Sequence, residues 1–331
     1  MEKLNGFYIN KFYTFILNSV RKSDCQIAED SIEEDDNKML DLGSTLNHPL
    51  QLPSNETIDS ILSYLKKFSI EDSNKESRSE IMQYLQQDFK RFLYTLQIIK
   101  NVNKKNGFLL EIGANPYFTS LLLKKYTNHE LHFINYFEGA SEKGNQSMIS
   151  DDCEKITFEF DNCNIENDQI PYHDGFFDIV CLCEVLEHMC KDPLRALLNI
   201  KSKLKIGGSL ILSTPNPCRL SNVINIINGS NFYDPFSGYG LYGRHNREYT
   251  RHELYLLLSE AGFEISEMFT TDVHPDSSYD TCSTLSSIYK AIEMIPNRQY
   301  DLGQYIFVRA INKKIKNSYQ KPTWLYRSFN E

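Results

Sequence analysis

Gly107-Phe-Leu-Leu-Glu-Ile-Gly113 is a short apolar run that stops at a glycine, and Ala114-Asn-Pro-Tyr-Phe-Thr-Ser-Leu-Leu-Leu-Lys-Lys125 follows it with helical spacing. A buried strand that feeds a helix through a tight turn is the opening unit of a parallel α/β sheet. Further along, Phe177-Asp-Ile-Val-Cys-Leu-Cys183 is another buried strand, and it runs straight into Glu184-Val-Leu-Glu-His188. Asp192-Pro193 supplies an N-cap and first residue for a new helix. That helix reaches Leu204-Lys-Ile-Gly-Gly208, and a further strand ends in Thr214-Pro-Asn-Pro217. Strands alternating with helices predict a parallel sheet whose ligand lies in the crevice at the carboxyl ends of the strands.

Working outward, Glu130 to Glu138 and Ile156 to Asp161 read as strands on one side of this unit. Gly262 to Thr270 and Gln304 to Ala310 read as the closing strands, with a helix over Thr281 to Ile295 between them. Leu220 to Ile227 is a helix. The glycine- and tyrosine-rich stretch from Gly229 to Thr250 is a lid-like insertion before a helix starting near Thr250. The first 105 residues read as a helical region with a polar linker, and residues 106–331 as the α/β domain. Phe7 to Val20 is helical, Asp24 to Asn37 an acidic loop, and Thr57 to Phe68 a second helix. After the polar stretch Glu71 to Ser79, a helix over Glu80 to Val102 places Ile81, Tyr84, Leu85, Phe89, Phe92, Leu93 and Leu96 on one face.

The net charge of −9 over 331 residues disfavours a nucleic-acid partner, which needs clustered Lys and Arg. Eight cysteines without a CxxC pair read as small buried hydrophobes of a reduced, cytoplasmic protein. No run has the length and apolarity of a membrane span or a secretion signal.

In order and spacing, the strand, EVLEH, helix, LKIGG, strand and TPNP elements resemble the class I S-adenosylmethionine (SAM) dependent methyltransferases, in particular small-molecule O-methyltransferases. The resemblance covers roughly residues 106–312. It implies a Rossmann-like α/β fold, a seven-stranded mostly parallel sheet with helices on both faces and the last strand inserted antiparallel, behind the N-terminal helical region. It also implies SAM as cofactor and a small polar or anionic acceptor, such as a sugar or nucleotide-linked glycan intermediate.

Glu111, Gly113, Ala114 and Asn115 occupy the cofactor turn, which departs from the family's E-x-G-x-G-x-G by keeping the first glycine alone. Asn115 followed by Pro116 predicts the N-cap and first turn of the helix, with Tyr117 turned away from the ligand. Asn135 or Glu138 stands where the family places its ribose-binding acid, Asn164 and Glu166 fall at the adenine-binding segment, and Cys183 ends the strand beside it. Glu184, Glu187 and His188, at helical spacing, share one face; with a distant histidine such as His245 they form a ligand set for Mg²⁺, Mn²⁺ or Zn²⁺. The small-RNA 3′-end 2′-O-methyltransferases bind a metal through a similar motif, whereas other relatives carry it without metal, and the sequence leaves both readings open. His188 and His245 are also the candidate bases for a hydroxyl acceptor, while His132, His173 and His252 read as structural. Arg244, Arg247 and Tyr249 are candidate substrate contacts. RNA 3′-end methylation and a non-catalytic scaffold that lost its glycine loop are the competing functions.

Overall fold

A computed structural model describes residues 48–327 except 72, 105, 237, 239, 275–289, 293, 295–297 and 314–318. The helix expected over Phe7 to Val20, the loop Asp24 to Asn37 and most of Thr281 to Ile295 lie outside these residues. The described residues up to His274, with those from Tyr300 onward, belong to one compact unit, and every element below is part of it.

Among the described residues, nine strands form one sheet: β1 (Phe68–Ile70), β2 (Phe108–Ile112), β3 (Glu130–Asn135), β4 (Lys143–Ser150), β5 (Lys155–Asn162), β6 (Phe177–Cys183), β7 (Leu204–Pro215), β8 (Phe263–Thr271) and β9 (Tyr305–Asn312). Their order is β1-β4-β5-β3-β2-β6-β7-β9-β8. The expected seven strands are all there, β5, β3, β2, β6 and β7 parallel and β9 antiparallel between β7 and β8. Two antiparallel strands extend the edge beyond them. β4 pairs with β5 from Lys143↔Asp161 to Ile149↔Lys155, and β1 pairs with β4. Lys143-Gly-Asn-Gln carries no apolar alternation, so β4 owes its strand conformation to the hairpin with β5 rather than to its own pattern.

Among the described residues, six helices flank the sheet: α1 (Ile58–Lys66), α2 (Lys75–Lys100), α3 (Phe118–Tyr126), α4 (Pro193–Lys203), α5 (Leu220–Ile227) and α6 (Arg251–Glu260). Caps written into the sequence set several of their starts. Thr57 and Ser60 form a capping box, Asp192 accepts from the Arg195 amide ahead of Pro193, and Thr250 forms a second capping box with Glu253.

Alternate residues of the central strands serve two cores. Leu110, Ile112, Val180 and Leu182 face α4 and α6, whereas Leu109, Ile179 and Cys181 face α1, α2 and α3. The expected apolar face of α2 joins the second core through Leu85, Phe89, Phe92, Leu93 and Leu96, with Ile81 and Tyr84 packed against it. Both faces of β2 and β6 are therefore covered, which is why they read as continuous apolar runs. Their carboxyl ends, with those of β3 and β7, converge on a cleft.

Candidate active site

The turn after β2 is built on one glycine and one buried tyrosine. Gly113 has φ +75°, and a Cβ there would come within 2.5 Å of Val185 Cγ2, so the first glycine of the turn is required twice over. The helix then starts differently from the sequence expectation. Its N-cap is Tyr117, left-handed at φ 68°, and not Asn115, which is exposed and joined to Pro116 by a cis peptide. A left-handed non-glycine residue costs roughly 1–2 kcal/mol. Tyr117 offsets this by burying its whole ring, stacked on Phe158 at 4.6 Å and edge-on to Phe133 at 5.7 Å. The ring thus points into the core, and its hydroxyl accepts a 2.8 Å bond from Asn135 Nδ2.

Glu111 lies one strand position from this turn, buried, accepting from Ser120 Oγ at 2.6 Å, and burial pushes its carboxyl up to about 7. Ala114 is buried beside it.

Around the cleft a cavity of about 200 Å³ is lined by Gly113, Asn135, Tyr136, Asn164, Glu166, Glu184, Val185, His188 and Tyr242, among others. Asn164 is buried and donates through Nδ2 to Tyr242 Oη at 2.9 Å. Glu166 is engaged structurally: its carboxylate accepts from the amides of Cys190, Lys191 and Asp192 at 2.8–3.0 Å and holds the loop into α4. Glu138 is exposed beyond the end of β3 and outside the cavity wall. Cys183 is half-buried against α2, where Thr95 Oγ1 lies 3.9 Å from its sulfur and burial pushes the thiol up to about 11. A larger cavity of about 1060 Å³ lies at the amino-terminal end of β3, between it and β5, away from the strand ends that carry ligands in such sheets.

The EVLEH segment does not form the helical face expected of it. Glu184 takes φ +55°, and the helix is a single 3₁₀ turn, Leu186–His188. Glu184 therefore turns aside to accept from Ser213 Oγ at 2.8 Å. Glu187 and His188 converge instead with His245 from the insertion, one ligand atom of each lying within 4.8 Å of the others. Glu187 is fully buried; Thr214 Oγ1 donates to its Oε2 at 3.0 Å, while its Oε1 has no hydrogen-bond partner among the described residues and faces His188 Nε2 at 3.9 Å.

Both imidazoles are oriented from behind. His188 Nδ1 lies 2.9 Å from the Arg244 carbonyl, which can only accept, so Nδ1 carries the proton and Nε2 is left with its lone pair. His245 Nδ1 lies 3.0 Å from Glu248 Oε1, and Arg219 holds that carboxylate from its other oxygen at 2.8 Å. Burial, reinforced by His245, holds His188 below its ordinary pKa. Burial opposes charge on His245 too, but the bond to Glu248 outweighs it and raises the ring above its ordinary value. Burial raises the carboxyls of Glu184 and Glu187, the latter further by the charge of Glu184.

The insertion is sewn onto this turn. Asn246 donates its amide to the Glu187 carbonyl at 2.7 Å and its Nδ2 to the His188 carbonyl at 2.9 Å, and the Arg247 amide reaches Glu187 O at 3.1 Å. Tyr249 is buried in the core and is not part of the wall of the cavity of about 200 Å³. Arg247 pairs with Glu253 at 2.7 Å, and Arg244 lies over the Phe236 ring at 4.5 Å.

Sequence reasoning missed Tyr242, Glu248 and Arg91. Arg91, on α2, is buried with Asp88 at 3.0 Å and also bonds Tyr84 Oη. Its signal was present, since Asp88 and Arg91 interrupt the apolar face of that helix.

Strand order and cleft are those of a class I SAM-dependent methyltransferase. A methyltransferase-domain family model matches residues 80–267, more than half of the chain, and the chain belongs to that family. SAM is the cofactor. Among solved structures, a SAM-dependent methyltransferase of Thermotoga maritima is similar over 71% of this chain and 95% of its own, with 19% identity and a TM-score of 0.44. One from Archaeoglobus fulgidus shows 17% identity over 67% and 94%, with a TM-score of 0.42. The 1,6-didemethyltoxoflavin-N1-methyltransferase of Burkholderia thailandensis, solved with S-adenosylhomocysteine, shows 14% identity over 75% and 95%, with a TM-score of 0.41. No curated protein matches the chain. Among the described residues, no helix is long and apolar enough to cross a membrane.

Proposed function

We propose that this enzyme transfers the methyl group of SAM to a hydroxyl of a small polar acceptor, a sugar or nucleotide-linked glycan intermediate, at the Glu187, His188 and His245 cluster. The carrying observation is the convergence of a buried, unpartnered carboxylate oxygen with two oriented imidazoles at the rim of the cavity lined by Gly113, Asn135 and Asn164. Methyl transfer is an in-line displacement at the sulfonium methyl, so the protein must hold the acceptor oxygen behind that carbon and manage one proton. His188, neutral and with Nε2 carrying the lone pair, is suited to take it.

The same three residues fit a divalent cation. Glu187 Oε1 lacks a partner among the described residues, and Glu248 backs His245 as carboxylates back metal-bound histidines. An ion held there would ease deprotonation of the acceptor hydroxyl. The cluster also supports the reading as an RNA 3′-end 2′-O-methyltransferase, which the net charge of −9 opposes.

Calorimetry with S-adenosylhomocysteine, with Mn²⁺ and after chelation, tests the reading. Micromolar binding that survives in Glu187→Gln, together with loss of Mn²⁺ binding in that variant, is the expected result. No binding under either condition refutes it and leaves the scaffold reading. Activity that persists after chelation would assign His188 as base without a metal.

A further inference from the structure

His245 also lines a second cavity. It has a volume of about 380 Å³ and is walled by Pro217, Phe232, Tyr233, Asp234, Arg247 and Glu253 together with Glu248. His188 lines the nucleoside-side cavity, and the two rings meet at right angles with centroids 5.0 Å apart. The histidine pair therefore stands between two cavities, one beside the cofactor turn and one beside the insertion. In-line transfer brings the acceptor oxygen into contact with the methyl carbon, so an acceptor seated in the second chamber must reach past the edge of the histidine pair into the first.

The chemistry of the second chamber selects its occupant. Its carboxylates are Asp234, Glu248 and Glu253, and Asp234 is fixed at the wall by a 3.0 Å bond from the His245 amide. The cations expected to grip an anionic acceptor are already engaged. Arg247 pairs with Glu253 at 2.7 Å and lies over the Tyr249 ring, while Arg244 lies over Phe236 and bonds Asn246 Oδ1 at 3.3 Å. Two aromatic rings, Phe232 and Tyr233, sit 4.9 Å apart on the same wall, and Tyr233 is 77% exposed. Glu248 and Glu253 are paired in turn with Arg219 and Arg247, so the acceptor for hydroxyl protons on this wall is Asp234; beside exposed ring faces it suits an uncharged polyhydroxylated ring better than a phosphate or carboxylate.

Resting on the function proposed above, we infer that this cavity is the acceptor site and that its substrate is an uncharged sugar ring, with Tyr233 as its stacking platform. The test is saturation-transfer NMR on the full chain saturated with S-adenosylhomocysteine. The probes are methyl glycosides of common neutral hexoses and deoxyhexoses, with the corresponding sugar phosphates as the anionic arm. Neutral glycosides should bind and the phosphates should not. Tyr233→Ala, a change at an exposed ring, should weaken glycoside binding by about fivefold or more and leave S-adenosylhomocysteine affinity unchanged. Preference for the phosphates, equal glycoside binding in the variant, or no glycoside binding by cofactor-loaded protein would each overturn the inference. Failure of S-adenosylhomocysteine itself to bind would instead sink the methyl-transfer reading on which it rests.

Discussion

Replacing Glu111 with Gln should remove a pH dependence from the stability of the whole fold. The wild-type carboxyl is buried, with its proton retained up to about 7 against an ordinary value of 4.5. Between those two values the folded protein holds a proton that the unfolded chain has released. Unfolding free energy must therefore fall as pH rises through this window and level off above it. At ~1.36 kcal/mol per unit, the full window corresponds to about 3 kcal/mol, of which about 2 kcal/mol falls between pH 5.5 and 8. The Glu111→Gln side chain keeps an oxygen that can accept from Ser120 Oγ but does not titrate. Urea denaturation of both proteins at pH 5.5 and 8 gives the comparison, and contributions from all other groups cancel in the difference of differences. The wild type should lose about 2 kcal/mol more than the variant over this interval. Identical pH dependence in the two proteins would show that Glu111 is ionised when folded, and the account of its burial would be wrong.

Gly113→Ala combines a left-handed backbone with a Cβ 2.5 Å from Val185 Cγ2, and should cost about 3 kcal/mol in urea denaturation, with weaker S-adenosylhomocysteine binding; a near-neutral change would mean the turn is less constrained than described. Glu166→Ala leaves three amides of the Cys190 to Asp192 loop without their acceptor and should destabilise by about 3 kcal/mol. Glu166→Gln should recover part of that loss, and equal losses in the two variants would argue against the amide clamp. Tyr117→Phe keeps the stacked ring and removes the acceptor of Asn135 Nδ2, so a loss of about 1–2 kcal/mol by thermal denaturation is expected, and no loss would count against that bond.

The parts of the fold legible in the sequence are those where local pattern and tertiary burial agree. β2 and β6 are apolar runs because both faces are covered, and the starts of α1, α4 and α6 carry their caps at Thr57, Asp192 and Thr250. Where tertiary contacts decide, the pattern misleads. β4 exists through its pairing with β5, and Tyr117 becomes an N-cap because its ring has a pocket between Phe133 and Phe158. In the site, the grouping of Glu187 and His188 with His245 was readable, but the departure of Glu184 from it was not. The positive φ of Glu184 removes it from the face of Glu187 and His188, a backbone choice that helical spacing does not reveal. Glu248 and Tyr242 acquire their roles through folding of the insertion, which brings them to His245 and Asn164 respectively.

The stitching of Asn246 to the carbonyls of Glu187 and His188 also bears on how this scaffold can be diversified. Asn246 and His245 are neighbours in the chain, so the anchor and the reactive imidazole travel together, whereas Phe232 to Asp234 line the second chamber from the far end of the same insertion. A library that randomises the far end and keeps residues 241–249 would vary the chamber's lining while leaving the histidine geometry in register. Grafting the insertion into a relative would require the Leu186 to Cys190 turn to be carried across with it, because each supplies the other's hydrogen-bond partners.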